Sequence, residues 1–464
     1  MNRLLFATLL LSSARSSTSF SAIRSLSTLS TLSTMSAVSI SDAFDGGNIE
    51  FVKTVTNNNE QDDDDDDDDK TVVILKIKPD PFTQLEQKHH FQYFCFRSLC
   101  SSPSTKIKYV IENAGESSYP NAWTGSTIFY SPTLNDPHAW KRLSSTTYEN
   151  GQLSFSQSGS GYFSYFPPYS YDRHLEFMTN CGSHVQTLGQ TLDGRELDCV
   201  KVGSGKMICW IIHRQHPGET MAEYYAEGLI ERLLGTTAGK SVDGLVAQLL
   251  KKYTFYIVPN MCPDGSVRGH LRTNAKGQNL NREWDSSCQT DYEAPTLERS
   301  PEVYHILNKM QETGVDAFLD VHGDEELPFN FLAGSEGLPN WGPRLQGLHG
   351  AFLSAYGRAN SDMQAQYGYA PDAPLEGKTM VCSNQIATRF DCFAATLEMP
   401  YKDLLTNPDP ERGWSPARSK QLGASVLDAL SYIHPYLRTT APFWEQLPPA
   451  DDYVCPTHKY NNKE

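Results

Sequence analysis

Beyond Tyr171 the chain carries four short, largely apolar runs, Met207 to Ile212, Tyr253 to Val258, Ala317 to Val321 and Phe393 to Leu397, separated by stretches of helical spacing. Runs this short have the length of strands buried on both faces rather than of helices. Such strands alternating with amphipathic helices predict a layered α/β domain, because helices must cover a sheet that has no polar face. One helix is legible in detail: Glu223 to Leu234 places Leu and Ile on one side, and Gly235 stands where a C-terminal cap belongs.

Upstream the texture is different. From about Phe44 to Phe166 the sequence offers strand-like runs, Val72 to Ile77, Phe91 to Phe96 and Lys108 to Ile111, between clusters of Gly, Pro, Asn and Ser. Short strands without helices predict an antiparallel β-sandwich, placed here at residues 71–166. Pro167 and Pro168 interrupt strand pairing and mark the boundary with the α/β domain, expected over 167–440. Residues 441–464 lack periodicity and read as a tail.

The first 41 residues contain Arg3, Arg15 and Arg24, abundant Ser and Thr, and no acid before Asp42. That composition predicts a cleaved targeting peptide for a mitochondrion or plastid, or a signal peptide with Leu4 to Leu11 as its core. The Leu4–Leu11 stretch is too short to span a bilayer, which takes about 20 residues. Met35 offers an alternative start that would leave a cytosolic form. Residues 42–70 are expected to be a disordered acidic linker, its centre the run Asp62 to Asp69, which repels itself into an extended, solvated spacer.

The formal net charge is -16, and that run supplies eight of the negative charges. No basic cluster exists to grip phosphates, so a nucleic-acid partner is not expected, nor is a membrane. The ten cysteines form no Cys-x-x-Cys pair and no regular framework, which points to reduced thiols.

Four pieces carry chemistry. His213-Arg214-Gln215-His216-Pro217-Gly218-Glu219-Thr220 follows an apolar strand and precedes a helix, and its Pro-Gly turn lets His216 and Glu219 project to one side. By itself His-x-x-Glu occurs by chance on surfaces. Phe318-Leu319-Asp320-Val321-His322-Gly323 ends a strand in a His, which alone is as readily scaffold as ligand. Together the pieces supply two imidazoles and a carboxylate, a set that leaves a zinc position open for water. Between them lies a loop rich in Pro, Gly and Asn that carries Arg272, Asn281 and Arg282. An arginine fork matches a carboxylate, although such residues also serve as surface or ion-pair groups. The fourth piece, Ala394-Ala395-Thr396-Leu397-Glu398-Met399-Pro400, ends an apolar strand in one carboxylate. Burial raises such a group and a metal lowers it, which suits a base near neutral pH.

In this order and spacing the pieces resemble the zinc metallocarboxypeptidases, and more closely their cytosolic carboxypeptidase branch and its bacterial relatives. The family pattern is His-Pro-Gly-Glu, Asn-Pro-Asp-Gly, an Arg, Gly-x-Asp-Leu-Asn-Arg, a later His and a Thr-Leu-Glu strand end, and the likeness covers about Tyr109 to Pro435. It implies a mixed-sheet α/β zinc carboxypeptidase domain preceded by a β-sandwich. It implies one Zn2+ per chain held by His216, Glu219 and His322, with Glu398 as general acid/base and Arg272 stabilising the oxyanion. Asn281 and Arg282 would grip the terminal carboxylate of a peptide or protein substrate. The reaction implied is attack of a metal-activated water, deprotonated by Glu398, on the last peptide carbonyl. Cys262 stands where the pattern has Asn, and Asn279 where it has Asp. Tyr367 and Tyr369 are candidates by region for the tyrosine that closes over substrate.

Relatives build their side-chain pocket from the region matching Ser383 to Phe390. Arg389 there, if it faces inward, would favour C-terminal Glu or Asp; the other reading has it in solvent or paired with Asp391 or Glu376. Two further functions fit the same residues: a zinc N-acyl amino acid deacylase, and a non-catalytic adaptor that binds a partner through its sandwich.

Overall fold

The computed structural model describes residues 38–56, 71–84, 89–236, 241–285 and 294–446. The expected targeting peptide up to residue 37, the run Asp62–Asp69 and residues 447–464 lie outside the described residues.

Among the described residues ten strands come first: β1 (Val38–Ser41), β2 (Glu50–Thr56), β3 (Thr71–Lys76), β4 (Cys95–Cys100), β5 (Lys106–Ile111), β6 (Phe129–Ser131), β7 (Lys141–Arg142), β8 (Thr147–Glu149), β9 (Gln152–Ser158) and β10 (Gly161–Ser164). They form two five-stranded sheets ordered β1-β4-β10-β6-β7 and β2-β3-β5-β9-β8. All pairs are antiparallel except β3 with β5, which is parallel. Alternation makes the core: Val73 and Leu75 of β3 and Leu153 and Phe155 of β9 point inward. Phe96 and Phe163 from one sheet meet Tyr109 and Phe155 from the other, with Tyr109 and Phe163 ring centres 4.6 Å apart.

Three expectations need correction. The first sheet begins at Val38, so the sandwich starts before residue 71, and β1 and β2 occupy stretches read as the end of a targeting peptide and as a disordered linker. The strand expected at Phe91 to Phe96 is displaced to Cys95–Cys100, because the backbone from His90 to Phe94 bonds to Asp80, Ser118 and Tyr165 outside the ladders. The tail is ordered further than expected: Phe443 is buried and stacks on Tyr436 at 4.7 Å.

The second layer is a seven-stranded mixed sheet built from β11 (Val185–Gln190), β12 (Glu196–Gly203), β13 (Met207–His213), β14 (Tyr253–Val258), β15 (Ala317–Asp324), β16 (Phe331–Ala333) and β17 (Phe393–Pro400), in the order β11-β12-β14-β13-β15-β17-β16. The four apolar runs of the sequence are the parallel centre, β14-β13-β15-β17. The described helices are α1 (Tyr171–Cys181), α2 (Thr220–Leu234), α3 (Gly244–Lys252), α4 (Pro263–Arg268), α5 (Pro301–Thr313), α6 (Pro343–Ala359), α7 (Cys382–Phe390) and α8 (Pro416–Ile433). Successive strand residues face opposite ways, so Ile211 packs with Leu229 of α2 and Val426 of α8, while Trp210 and Ile212 pack with Ile306 of α5 and Ile386 of α7. Gly235 ends α2 at φ 67°, as its placement predicted.

Sandwich and sheet share a seam of specific contacts. Tyr165 stacks on Tyr401 at 4.3 Å, and the Arg142 guanidinium donates to the carbonyl of Tyr401 at 2.8 Å. Asp80 of the sandwich is buried and accepts the backbone N–H groups of Leu271, Arg272 and Thr273 at 2.7, 2.8 and 2.9 Å. This loop continues to Asn274, behind which Glu302 of α5 is wholly buried.

Burial pushes the Glu302 carboxyl up to about 8, with Asp264 and Glu283 adding to the effect against a hydrogen bond from Asn274. Between its ordinary value and about 8 the folded chain therefore holds a proton that the unfolded chain has lost, and stability falls as pH rises through that window. Glu302→Gln is expected to remove the slope. Its gain in stability over the wild type should grow from pH 5 to pH 8, approaching on the order of 3 kcal/mol, and its melting temperature should rise relative to the wild type in step. Thermal melts of both proteins at the two pH values check this, and an equal loss at both would contradict it.

Candidate active site

The loop between β13 and α2 is fastened from beneath. Arg214 has a left-handed backbone, φ 57°, and a buried side chain that donates to the carbonyls of Pro217 and Tyr169 at 2.8 and 3.0 Å and pairs with Glu223 at 2.6 Å. Asn260 donates to the same Glu223 carboxylate at 3.1 Å. Held this way, the Pro-Gly turn aims His216 and Glu219 to one side, over the carboxyl end of the parallel strands. His322 arrives on β15 and Glu398 on β17, and the two are register partners on adjacent parallel strands.

His216, Glu219 and His322 form a buried group that could hold a metal ion. His216 Nδ1 lies 2.6 Å from Glu219 Oε1, His322 Nδ1 lies 2.9 Å from Glu219 Oε2, and the two Nδ1 atoms are 3.2 Å apart. Ligands at zinc bond lengths of about 2.0–2.1 Å stand roughly 3.3 Å apart on a tetrahedron, so the donors nearly mark one face of such a site. The outer ring atoms are engaged elsewhere: His322 Nε2 pairs with Asp320 at 2.9 Å, and His216 Nε2 with Asn279 Oδ1 at 3.1 Å. Partners that accept the Nε2 proton leave the Nδ1 lone pairs turned inward. Asp320 is held in turn by Gln215, which donates at 2.6 Å and accepts from the indole of Trp284 at 2.9 Å. Burial, with Arg272 nearby, pushes His216 down to about 3 and keeps it neutral. Burial also opposes charge on His322, but Asp320 and Glu219 outweigh it and hold that imidazole well above its ordinary value, so a metal bound at Nδ1 would displace a proton there.

A cleft of about 470 Å³ opens over this group. Glu398 lines it, and its Oε2 is buried without a hydrogen-bond partner among the described residues. Burial holds the Glu398 carboxyl well above the usual range, with Glu219, Asp324 and Glu325 adding to it and His322 pulling the other way. Arg272 lines the cleft from the loop clamped by Asp80, and its Nη1 donates to the hydroxyl of Tyr119 at 3.2 Å. Asn281 and Arg282 form the end nearest α7, where Asn281 Oδ1 accepts the N–H of Cys382 at 2.9 Å.

Seven of the eight site residues expected from sequence therefore meet in one cleft; Arg389 does not. Ser383 and Asn384 of α7 line the wall, and Arg389 stands about 140° around the helix from Asn384, exposed to solvent. Asp391 is bound instead by Arg344 at 2.7 Å. Of the two tyrosines, Tyr369 lines the cleft and donates to Asp324, whereas Tyr367 stacks on Phe329 at 4.5 Å away from it. Cys262 is buried at the start of α4, its N–H donating to Asn260 Oδ1 at 2.9 Å, and is not part of the cleft.

Sequence reasoning missed Tyr119, Asp80, Glu325 and the outer pair Asp320 and Gln215. Asp320 had a signal: it is the one acid within the apolar run Ala317 to Val321, two residues before His322 and so on the same face. Tyr119 and Asp80 had none, since they arrive from the sandwich.

Residues 170–407 match the zinc carboxypeptidase family, and residues 40–186 match the cytosolic carboxypeptidase N-terminal domain. An uncharacterized protein of Zymomonas mobilis is 40% identical over 399 residues, 84% of this chain and 95% of its own. A solved metallo-carboxypeptidase from Pseudomonas aeruginosa, in complex with (2-guanidinoethylmercapto)succinic acid, is 37% identical with a TM-score of 0.75, covering 86% of this chain and 100% of that one. Mouse cytosolic carboxypeptidase 6 is 26% identical over 189 residues, 37% of this chain and 33% of its own length. The chain belongs to the zinc carboxypeptidase family, in the group that carries the cytosolic carboxypeptidase N-terminal domain.

Proposed function

We propose that the enzyme removes the C-terminal residue of peptides, with His216, Glu219 and His322 holding zinc and Glu398 acting as the base. The observation that carries this reading is that an unpartnered, buried Glu398 stands in register beside His322, in the cleft that also holds Asn281 and Arg282. Zinc, when bound, supplies a Lewis acid that acidifies water and polarises a carbonyl. Glu398 takes the proton from the attacking water and returns it to the leaving amine. Arg272, fixed by Asp80 and Tyr119, lies ready for the negative charge that develops on the carbonyl oxygen. Asn281 and Arg282 bind the terminal carboxylate, which confines cleavage to the chain end. Tyr369, docked on Asp324 at the cleft wall, is the tyrosine that closes over substrate.

An acidic-end preference rested on Arg389, which is exposed and outside the cleft. Glu336 and Asp372 line the cleft instead, and an acidic side chain would face them. The Pseudomonas aeruginosa relative was solved with a ligand that joins a guanidino group to succinic acid. Arginine-bound carboxylates and carboxylate-bound guanidinium are both available here, so the reading is a neutral or basic C-terminal side chain rather than an acidic one.

Glu398→Gln should retain stoichiometric zinc while losing about 10²–10⁴-fold in turnover, as expected for a missing base; metal analysis beside peptide hydrolysis tests it, and loss of zinc would make Glu398 a ligand instead. His322→Ala should leave the purified protein without stoichiometric zinc and inactive, because two donors hold the ion poorly. Arg389→Ala should change kcat/KM by less than about twofold on Glu-ended and Leu-ended peptides alike, the usual scale for a surface side chain. A loss confined to Glu-ended peptides would restore the acidic preference.

A further inference from the structure

The cleft has two ends. Asn281 and Arg282 form one, where Asn281 meets the start of α7, and Arg272 and Tyr119 form the other, where the sandwich reaches the cleft. On the carboxypeptidase reading, on which this inference rests, the terminal carboxylate lies at the first end. The residue upstream of the scissile bond then lies at the second.

Glu325 lines the cleft within electrostatic reach of Arg272 and Tyr119, and so belongs to that second end. It is more than nine-tenths buried, at 6% exposure, and apart from its own backbone N–H and the charge of Arg272 no donor or cation among the described residues is paired with its carboxyl. Asp324 next to it is the contrast, since its carboxylate accepts the N–H groups of Glu326 and Leu327 and the hydroxyl of Tyr369. The groups facing Glu325 are mostly acids or phenols: Glu219, Asp324, Glu398, Tyr165 and Tyr401, with Arg272 as the nearby cation. Arg272 already has a place beside Tyr119 and a role at the carbonyl oxygen. A buried carboxylate without its own counter-charge is costly to keep and gains strongly from a cation delivered to it.

We propose that Glu325 is a specificity-determining residue that receives a cationic group on the penultimate residue of the substrate. That group is either the side-chain ammonium or guanidinium of Lys or Arg, or the α-ammonium of a dipeptide. Both present the same N–H donors and positive charge to one carboxylate.

The test uses the zinc-loaded full chain and follows release of leucine from acetyl-Ala-Lys-Leu, acetyl-Ala-Glu-Leu, acetyl-Ala-Ala-Leu and the free dipeptide Ala-Leu. The wild type should favour the Lys peptide over the Glu peptide, or free Ala-Leu over the acetylated Ala peptide, by at least about tenfold in kcat/KM, the scale of one charge-assisted pair. In Glu325→Gln the favoured ratio should collapse mainly through KM, and in Glu325→Asp, which keeps the charge, the order should persist. Collapse of the Lys ratio assigns the side-chain cation, and collapse of the dipeptide ratio assigns the α-ammonium. A wild type with neither preference overturns the proposal, as does a Glu325→Gln loss that is equal on all four peptides. No leucine released from any peptide by the zinc-loaded wild type would instead defeat the carboxypeptidase reading itself.

Discussion

Parallel pairing of β15 with β17 sets His322 opposite Glu398, and the cleft depends on that register. In a parallel ladder the side chains of register partners share a face, so an imidazole and a carboxylate placed at matching strand ends converge without any loop to position them. A slip of one residue would turn Glu398 into the packed side of the sheet and bring Leu397 to the metal group. The apolar strand interiors prevent that slip, since Ala395 and Leu397 belong to the core beneath α2 and α8. Packing of the sheet thus sets the geometry of the chemistry.

The sandwich works as part of the active site as well as a neighbour to it. Asp80 gathers three successive backbone N–H groups around Arg272, and Tyr119 meets the guanidinium itself. A long arginine on a Gly-rich and Asn-rich loop would otherwise sample many rotamers, at a conformational cost paid on each turnover. Clamping the loop from a second layer fixes Arg272, the group proposed for the oxyanion, before substrate arrives. Loss of the sandwich should therefore affect the chemical step and not merely solubility.

Charge explains the rest of the cleft. Asp320, Glu325 and Glu398 are each buried within electrostatic reach of Glu219, an arrangement that raises all three carboxyls and that a cation would relieve. A divalent ion held by His216, Glu219 and His322 would supply two positive charges there, and Asp320, paired with His322 Nε2, would add to the basicity of that imidazole. At His216 the outer partner is the neutral amide of Asn279, so the two imidazoles are supported unequally, one by a carboxylate and one by a carbonyl oxygen.

Much of this was legible in the sequence because it depends on local pattern. Short apolar runs become the parallel strands whatever else surrounds them, and His216 with Glu219 is an i, i+3 pair on one turn, so residue type and spacing marked the candidates, while the family resemblance gave them their role as metal ligands. Three features needed the folded chain. Arg389 looked like a pocket cation, but its direction depends on how α7 rotates against the sheet, and Ser383 and Asn384 take the inward face. Val38 to Thr56 looked like leader and linker because edge strands carry little apolar signal, as the exposed β2 shows. Asp80, Tyr119 and Glu325 reach the cleft only through contacts between distant segments, and sequence spacing carries no record of which burial a tertiary contact will impose on a polar side chain.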